Sequence, residues 1–527
     1  MSACGGGGSS AATPAPTPPA VLPPVDVTAV EAADPGSTLP AGWHRGAFAQ
    51  IFVRSYADSD GDGIGDLRGL ISKLDYLQDL GIKGIWLMPV HKSQDHDHGY
   101  AVLDFRSVET AYGDMAGFDA LLEQAHARGI GVIIDYVINH SASQNPLFVH
   151  SRDGAGNPYR DWYVWQSPAP TGWSIYGADP WRNSASGAYF AGFSEQMPDF
   201  NFFNPAVVEY HKDNLRFWLN RGVDGFRFDA VGNLVENGPN AWESQPQNYT
   251  LMRDIRGTVM GYSRRYMVCE APGDPRGFGA DSACGSAFAF DLNRQIVDAA
   301  RGNVSAIGAV AGYYSSAPGG MAAMLSNHDS FAGDRLWDQL GGNVAQYKLA
   351  AAAYLLLPGT PFIYYGEELG MSGAALSGDA KLRAPMSWTA DAVTAGFTTA
   401  KPYRALATNV ATQNVAAQLS DPNSLHRFYK TLLALRNSRP SLAEGSYDAP
   451  FTSGRVMGYR RRLGDQTTLV LINFGDAAAT VAVDGLPADS VLSSLHPAGA
   501  AGASADANGS ASITLAAQTL RVFDVSP

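Results

Sequence analysis

Cysteine is scarce in this chain, with three residues in 527. Cys4 stands alone, and only Cys269 and Cys284 lie close enough in sequence to suggest a bridge, so the cysteine framework of a small disulfide-stapled fold is excluded. Whether those two pair stays open at this level. The sequence also lacks any apolar run of about eighteen residues, the length a membrane-crossing helix requires. Positive charge is in deficit as well. Lys and Arg total 37 against 50 Asp and Glu, the net charge is −13, and no basic cluster exists. Binding to nucleic acid or to an anionic membrane through charge is therefore not expected.

Residues 1–40 lack the apolar side chains that a core needs. The run CGGGGSSAATPAPTPPAVLPP is Gly/Ser-rich, then Pro/Ala-rich. It reads as a disordered linker, a flexible tether that stiffens into extended polyproline segments. The preceding SAC resembles the end of a bacterial lipoprotein signal, in which the cysteine becomes the lipidated first residue. A lipid anchor on Cys4 is expected from that likeness. It implies a place outside the cytoplasm, in the periplasm or on the outer-membrane surface of a bacterium.

From about residue 45 the pattern changes to alternating strand-like and helix-like segments. GAFAQIFVRSY, IKGIWLMPV, IGVIIDYVINH, VDGFRFDAV, RYMVCEAP, AFAFDL, AAMLSNHD and TPFIYYGEELGM read as strands, with helical patterns between most of them. Repeated β-then-α units imply a parallel sheet, and eight such units imply a closed (β/α)8 TIM barrel. Residues 141–199 break the rhythm with Pro, Gly, Asn and aromatics. They read as a small domain inserted after the third strand, leaving 41–140 and 200–444 as the barrel. Short alternating strands over 445–527 predict a C-terminal antiparallel β-sandwich.

The stretch GFRFDAVGN, residues 225–233, alternates with the period of a strand. Gly225, Arg227 and Asp229 share one face; Phe226, Phe228 and Ala230 share the other. A buried ion pair stabilises poorly, because desolvation offsets the Coulomb attraction. A guanidinium beside a carboxylate does something else: it favours the ionised form against burial, which a carboxylate nucleophile needs. Other polar residues gather at the predicted strand ends, where barrels of this kind carry function. These are Asp135, Asn139 and His140 after the third strand, Glu270 after the fifth, and Asn327, His328 and Asp329 after the seventh.

A second constellation is DSDGDGIGD, residues 58–66. Asp58, Asp60, Asp62 and Asp66 occupy positions one, three, five and nine, the carbonyl of Ile64 position seven, and a glycine position six. That is the spacing of an oxygen cage for Ca2+. The glutamate of a full cage at position twelve is replaced by Gly69.

DYVINH, GFRFDA, Glu270 after its strand, and NHD together resemble the four main motifs of the α-amylase family, the (β/α)8 glycoside hydrolases. GIWLMP, HGY, MPDFNFFNP and GTPFIYYGEELGM extend the likeness in family order from about residue 45 to 440. The resemblance implies a retaining mechanism. Asp229 would be the nucleophile, Glu270 the general acid/base, and Asp329 the third carboxylate, which binds sugar hydroxyls and stabilises the transition state. His140 and His328 match residues that hydrogen-bond the sugar at the cleaved bond, and Tyr100 matches the ring that stacks on it. Asp135 is expected to order Arg227. A loop like 58–66 binds a structural metal in several members, and Asn139 matches a ligand at a different calcium site. Glu367 and Glu368 in YYGEE match a motif that supports the barrel.

The signals for substrate diverge. His98 before Gly99 and Tyr100 resembles α-amylases. Asp97, three residues before that tyrosine, resembles exo-acting α-glucosidases, where the carboxylate helps hold the terminal sugar. LRAPMSW (382–388) resembles an α-glucosidase segment. MPDFN resembles a group intermediate between oligo-1,6-glucosidases and neopullulanases. Gly232 and Asn233 replace a Lys-His pair that many α-amylases carry after the nucleophile, which removes a product-side contact. The first expectation is an α-amylase-type hydrolase, acting as a monomer on α-1,4 bonds of starch or maltooligosaccharides. The alternative is an exo-acting α-glucosidase or oligo-1,6-glucosidase with transfer activity. A non-catalytic sugar-binding barrel is disfavoured because all three carboxylates are present.

Overall fold

The computed structural model describes residues 22–527. The expected anchor on Cys4 lies outside the described residues. Eight parallel strands form the central barrel: β1 (Phe48–Ile51), β2 (Gly84–Leu87), β3 (Gly131–Tyr136), β4 (Gly225–Phe228), β5 (Tyr266–Cys269), β6 (Ala287–Phe288), β7 (Met321–Ala322) and β8 (Phe362–Tyr364). β1 pairs with both β2 and β8. Just past β7, Ala323 bridges Pro361, and Phe362 N–H donates to the Ala323 carbonyl at 2.8 Å, which closes the ring.

Strand alternation sorts the side chains into two cores. Ile51, Ile85, Ile134, Phe226, Phe228 and Met267 point outward and pack in the large core between barrel and helices. Phe48, Trp86, Ile133, Val268, Phe288 and Phe362 fill the interior. In β4 the inward positions are Gly225 and Arg227, as the alternation predicts. Gly225 is required there: its φ is 147°, and a Cβ would lie 1.6 Å from the Tyr266 carbonyl oxygen. That close approach sets β4 against β5 and so brings Asp229 beside Glu270.

Residues 141–199 fold as a helix, Pro146–Asp153, and a three-stranded antiparallel sheet of Trp165–Gln166, Gly187–Phe190 and Trp181–Ser184. After α-helix Leu425–Ser438 the chain enters a six-stranded antiparallel sheet that faces a two-stranded one. Val456, Leu469, Leu471, Val481, Ile513 and Phe523 pack between them.

Two features differ from the sequence reading. The linker drawn to residue 40 ends too late. Within it, Val30 N–H donates to Asp213 at 2.9 Å, Ala33 N–H to Asn220 at 2.8 Å, and Arg106 donates to the Thr28 carbonyl at 2.8 Å. Arg265 holds the Gly36 carbonyl at 3.0 Å, and Leu39 is buried. A segment without its own core is ordered here because barrel side chains satisfy its backbone. The second feature is a long excursion after β8, residues 366–414, which crosses the barrel mouth without a strand. It docks on the loop after β1 through Met386 N–H to Ser55 O (2.8 Å), Asp58 N–H to Phe397 O (2.9 Å) and Tyr403 N–H to Gly63 O (3.0 Å).

Candidate active site

The carboxyl ends of β3, β4, β5 and β7 deliver Asp135, Asp229, Glu270 and Asp329 to one mouth, and Arg227 lies beneath them, fully buried. Its Nη1 is 2.7 Å from Asp135 Oδ1 and 2.7 Å from Asp229 Oδ1, and its Nη2 is 2.6 Å from Glu270 Oε1. Arg227 therefore serves three carboxyls, not Asp229 alone. Tyr100 OH donates to Asp135 Oδ2 (2.9 Å) and lies 2.6 Å from His328 Nε2. The Gln50 amide donates to His328 Nδ1 at 2.8 Å, which leaves the proton on Nε2 facing Tyr100 and Asp329 Oδ2, the latter at 3.0 Å. The Tyr100 and His328 rings stack at 5.5 Å.

Burial raises the pKa values of these carboxyls. Glu270 is pushed up to about 7, first by burial; Arg227 opposes, and the Asp229 charge and a hydrogen bond to Asp229 add to the rise. Asp229 is pushed up to about 6, again by burial against the opposing pull of Arg227. The expected net lowering by Arg227 is thus outweighed by burial, to which the Asp135 charge adds. The hydrogen bond between the two carboxyls lowers Asp229 and raises Glu270, which favours Asp229 as the ionised partner. Asp329 rises to about 7 through burial and the Glu270 charge, with Arg383 pulling the other way from 3.0 Å.

Above these groups lies a cavity of about 420 Å3. Asp229, Glu270, Asp329, Tyr100, His98 and His140 line it, with Arg383 and Asp379 from the excursion and Phe193 and Phe331 at the sides. His140 Nε2 is buried without a hydrogen-bond partner in the protein. His328, expected at the sugar, does not line the cavity; its Nδ1 is held by Gln50 and its Nε2 faces Tyr100 and Asp329. Asp97 does not line it either. Its two carboxylate oxygens sit 2.7 and 2.8 Å from Arg404 Nη2, next to His98. The sequence reading missed Arg383, Arg404 and Phe331. LRAPMSW contained Arg383, but nothing in its spacing placed it beside Asp329.

The Asp229 and Glu270 carboxyls share a hydrogen bond, closer than the separation of about 5–5.5 Å of a retaining pair. Two adjacent carboxyls, one favoured as the ionised partner and the other raised toward neutral pH by burial, with an unpartnered imidazole nitrogen of His140 at the same pocket, are components of double displacement at a glycosidic carbon. The description "Alpha amylase, catalytic domain" matches residues 50–445. The chain belongs to the alpha-amylase family. This family member is 34% identical over 448 residues to Alpha-amylase 3 of Dictyoglomus thermophilum, covering 82% of this chain and 85% of that protein. It is 30% identical over 519 residues to an oligo-1,6-glucosidase of Parageobacillus thermoglucosidasius, covering 82% and 90%. Among solved structures, the alpha-glucosyl transfer enzyme XgtA superposes with a TM-score of 0.81 at 29% identity, over 92% of this chain and 100% of that one. The protein is an enzyme of the glycosidase type, a glycoside hydrolase or transglycosylase.

Two acidic groups lie outside the cavity. In the loop after β1, carboxylate oxygens of Asp58, Asp60 and Asp66 come within 4.8 Å of one another, whereas Asp62 is not part of that group. Asp62 Oδ1 instead accepts the Ile64 N–H at 2.7 Å. At the junction of inserted domain and barrel, Asn139 donates to Asp199 at 3.0 Å, and Asp199 shares a hydrogen bond with Glu236. Burial pushes Asp199 up to about 7. Glu367 accepts Tyr354 OH (2.6 Å) and Tyr429 OH (2.9 Å) in the core, a structural place for that residue.

Proposed function

We propose that this enzyme removes single α-glucosyl units from the non-reducing end of oligosaccharides by double displacement. Asp229 attacks the anomeric carbon while Glu270 gives its proton to the leaving oxygen. Water or another alcohol then attacks the glucosyl-enzyme ester, and Glu270 takes back the proton. Asp329 and His140 hold sugar hydroxyls. The observation that carries the exo reading is the Asp97–Arg404 pair. The excursion that supplies Arg404 also supplies Arg383 and Asp379, so one side of the pocket is walled. Arg404 Nη1 is buried without a partner, and the wall that faces the cavity is made by His98, Asp379 and Arg383. A closed end accepts a chain terminus and excludes a continuing chain.

The first expectation, an α-amylase that cuts within starch chains, keeps support from the likeness to Alpha-amylase 3. A product time course on maltoheptaose separates the two. Glucose and maltohexaose from the first minutes are expected, with soluble starch nearly untouched. Early mid-length maltooligosaccharides with rapid loss of starch iodine colour would overturn the exo reading.

We also propose Ca2+ at Asp58, Asp60 and Asp66. Their fit is supported by the convergence of their oxygens and by the loop's close packing: at Gly63, φ 92°, a Cβ would meet the Lys401 carbonyl at 2.3 Å. The upward shift of Asp60 agrees. The Asp62 N–H lowers its pKa, but slight burial and the charges of Asp62, Asp58 and Asp66 more than offset that. The ion's part would be structural, joining the loop to the excursion, where Thr398 donates to Asp58 at 2.5 Å. Chelation is expected to lower the melting temperature by a few degrees, on the order of 1–2 kcal/mol for this chain length, with recovery on adding Ca2+. An unchanged melting curve would remove the site. An extracytoplasmic place fits the bridge that Cys269 and Cys284 form, since disulfides persist in oxidising compartments.

A further inference from the structure

Glu270 is gripped from one side. Its N–H donates to the Phe228 carbonyl at 2.9 Å, and its own carbonyl accepts the Val231 N–H at 3.1 Å. Its Oε2 accepts the Ala230 N–H at 3.2 Å, and Arg227 holds its Oε1. All of these partners belong to β4 or to the turn that follows it. Along that seam β5 is paired over its whole length, Tyr266 to Cys269 against Gly225 to Phe228. The opposite seam is thin. β6 has two residues, and its register with β5 is the single pair Cys269 and Ala287. Between those two residues the chain runs out in a loop, and Glu270 is the first residue of that loop.

Cys269 closes the thin seam. Its side chain points outward into the core between barrel and helices, while Glu270, the next residue, turns to the mouth. Cys269 is bonded there to Cys284, 15 positions later, and both are buried. Cys284 is itself well fixed. Its N–H donates to the Phe278 carbonyl at 3.1 Å, and the Gly285 N–H to the Ala280 carbonyl at 3.0 Å. Phe278 stacks on Tyr249 at 4.3 Å, and the Tyr249 hydroxyl donates to Asp274 at 2.6 Å. Tyr249 lies on the helix Pro246–Met260. The bridge therefore ties the residue before Glu270 to a turn anchored on the outer helix layer. A crosslink narrows the conformations open to the segment it closes, and this segment begins with Glu270.

We propose that the Cys269–Cys284 bridge is a positioning element for proton transfer: it fixes the direction in which Glu270 leaves β5, and with it the reach of the Glu270 carboxyl to the departing oxygen. The inference rests on the acid/base role given to Glu270 above. A reacting group misplaced by about 1 Å loses rate on the scale of 10^2-fold. Attack by Asp229 depends on β4, which the bridge does not touch. Loss of the bridge therefore falls on the proton and spares the nucleophile. The charged groups that face Glu270 also keep their places: Arg227 and Asp229 with β4, Asp135 on β3 and Asp329 after β7.

The test compares the full chain carrying Cys269→Ala and Cys284→Ala with the wild type on two donors. The quantity read is kcat/KM, which contains only the steps up to the ester. Maltoheptaose, cut at its end or within, has a leaving oxygen that needs a proton; fluoride departs from α-glucosyl fluoride without one. The double variant is expected to lose about tenfold on maltoheptaose and less than about twofold on the fluoride. Its alkaline limb on maltoheptaose is expected to move to lower pH, because a loosened Glu270 gains water and burial is what raises its pKa. The wild type reduced with dithiothreitol gives the same readout without a substitution. The reagent passes two electrons and two protons to the sulfurs and closes to its own cyclic disulfide, and the two new thiols are counted. The reduced enzyme is expected to show the same donor-selective loss and to recover when glutathione disulfide takes the electrons and protons back. Equal losses on both donors, or no loss on either, would overturn the proposal. Glu270→Gln assayed alongside keeps the two failures apart. If it spares the fluoride, the acid role of Glu270 stands whatever the bridge does; if it loses both donors equally, that role and this inference fall together.

Discussion

Asp229→Asn leaves the protein folded and lowers turnover of any α-glucoside by about 10^4-fold or more, the scale of losing a residue that acts only in the reaction. The amide matches the carboxylate in shape but cannot form the ester. The fold is spared because Arg227 keeps Asp135 at 2.7 Å and Glu270 at 2.6 Å. Its charge is never left without a partner, the situation that makes breaking a buried pair costly. The substitution also removes a charge that raises the Glu270 pKa. A thermal melt beside a steady-state assay checks the claim. Near-normal turnover would take the nucleophile role from Asp229.

Glu270→Gln is expected to have an effect that depends on the leaving group. On maltose, whose leaving alcohol needs a proton, the loss is about 10^2–10^4-fold, the range of general acid catalysis. On α-glucosyl fluoride, formation of the ester needs no proton and is much less impaired. The pH dependence follows with its sign. Glu270 works as an acid only while protonated, so maltose activity falls as pH rises through about 7, where burial places its pKa. In Glu270→Gln that alkaline limb disappears. Equal losses on both donors, or an unchanged alkaline limb, would mean that another group supplies the proton.

Much of this molecule is legible in its sequence because the barrel writes its geometry locally. Period-2 alternation in GFRFDA puts Arg227 and Asp229 on one face, and that face is the interior. Polar residues at strand ends then identify Asp135, Glu270 and Asp329 as neighbours before any coordinates are known. What escapes is whatever depends on contacts between distant segments. Arg404 meets Asp97 across more than three hundred residues, and Arg383 reaches Asp329 from a loop without periodicity. The division of Arg227 among three carboxyls is likewise invisible, and so is the depth of burial that shifts Asp229 upward. His328 shows a related limit: its motif names the residue, but only the Gln50 and Tyr100 contacts show that it works from behind the wall. The linker was misjudged for the same reason. Composition shows that residues 22–40 have no core of their own, not that Asp213, Asn220 and Arg265 provide one.

That strap has a mechanical consequence. Its backbone is pinned in series: Pro23 O by His150 at 2.8 Å, then Thr28, Val30, Ala33 and Gly36, and finally Leu39 O by Arg264. A pull on residue 22 loads these fastenings one after another, as in peeling a tape, and the tension is spent on the outer flank of the barrel. The helix Pro205–Asn220, which carries Asp213 and Asn220, takes the strain. Arg264 and Arg265, which take the last of the load, sit at the start of β5, at the end opposite Glu270. An enzyme tugged from its N-terminal side would keep its catalytic geometry for as long as the last fastening holds.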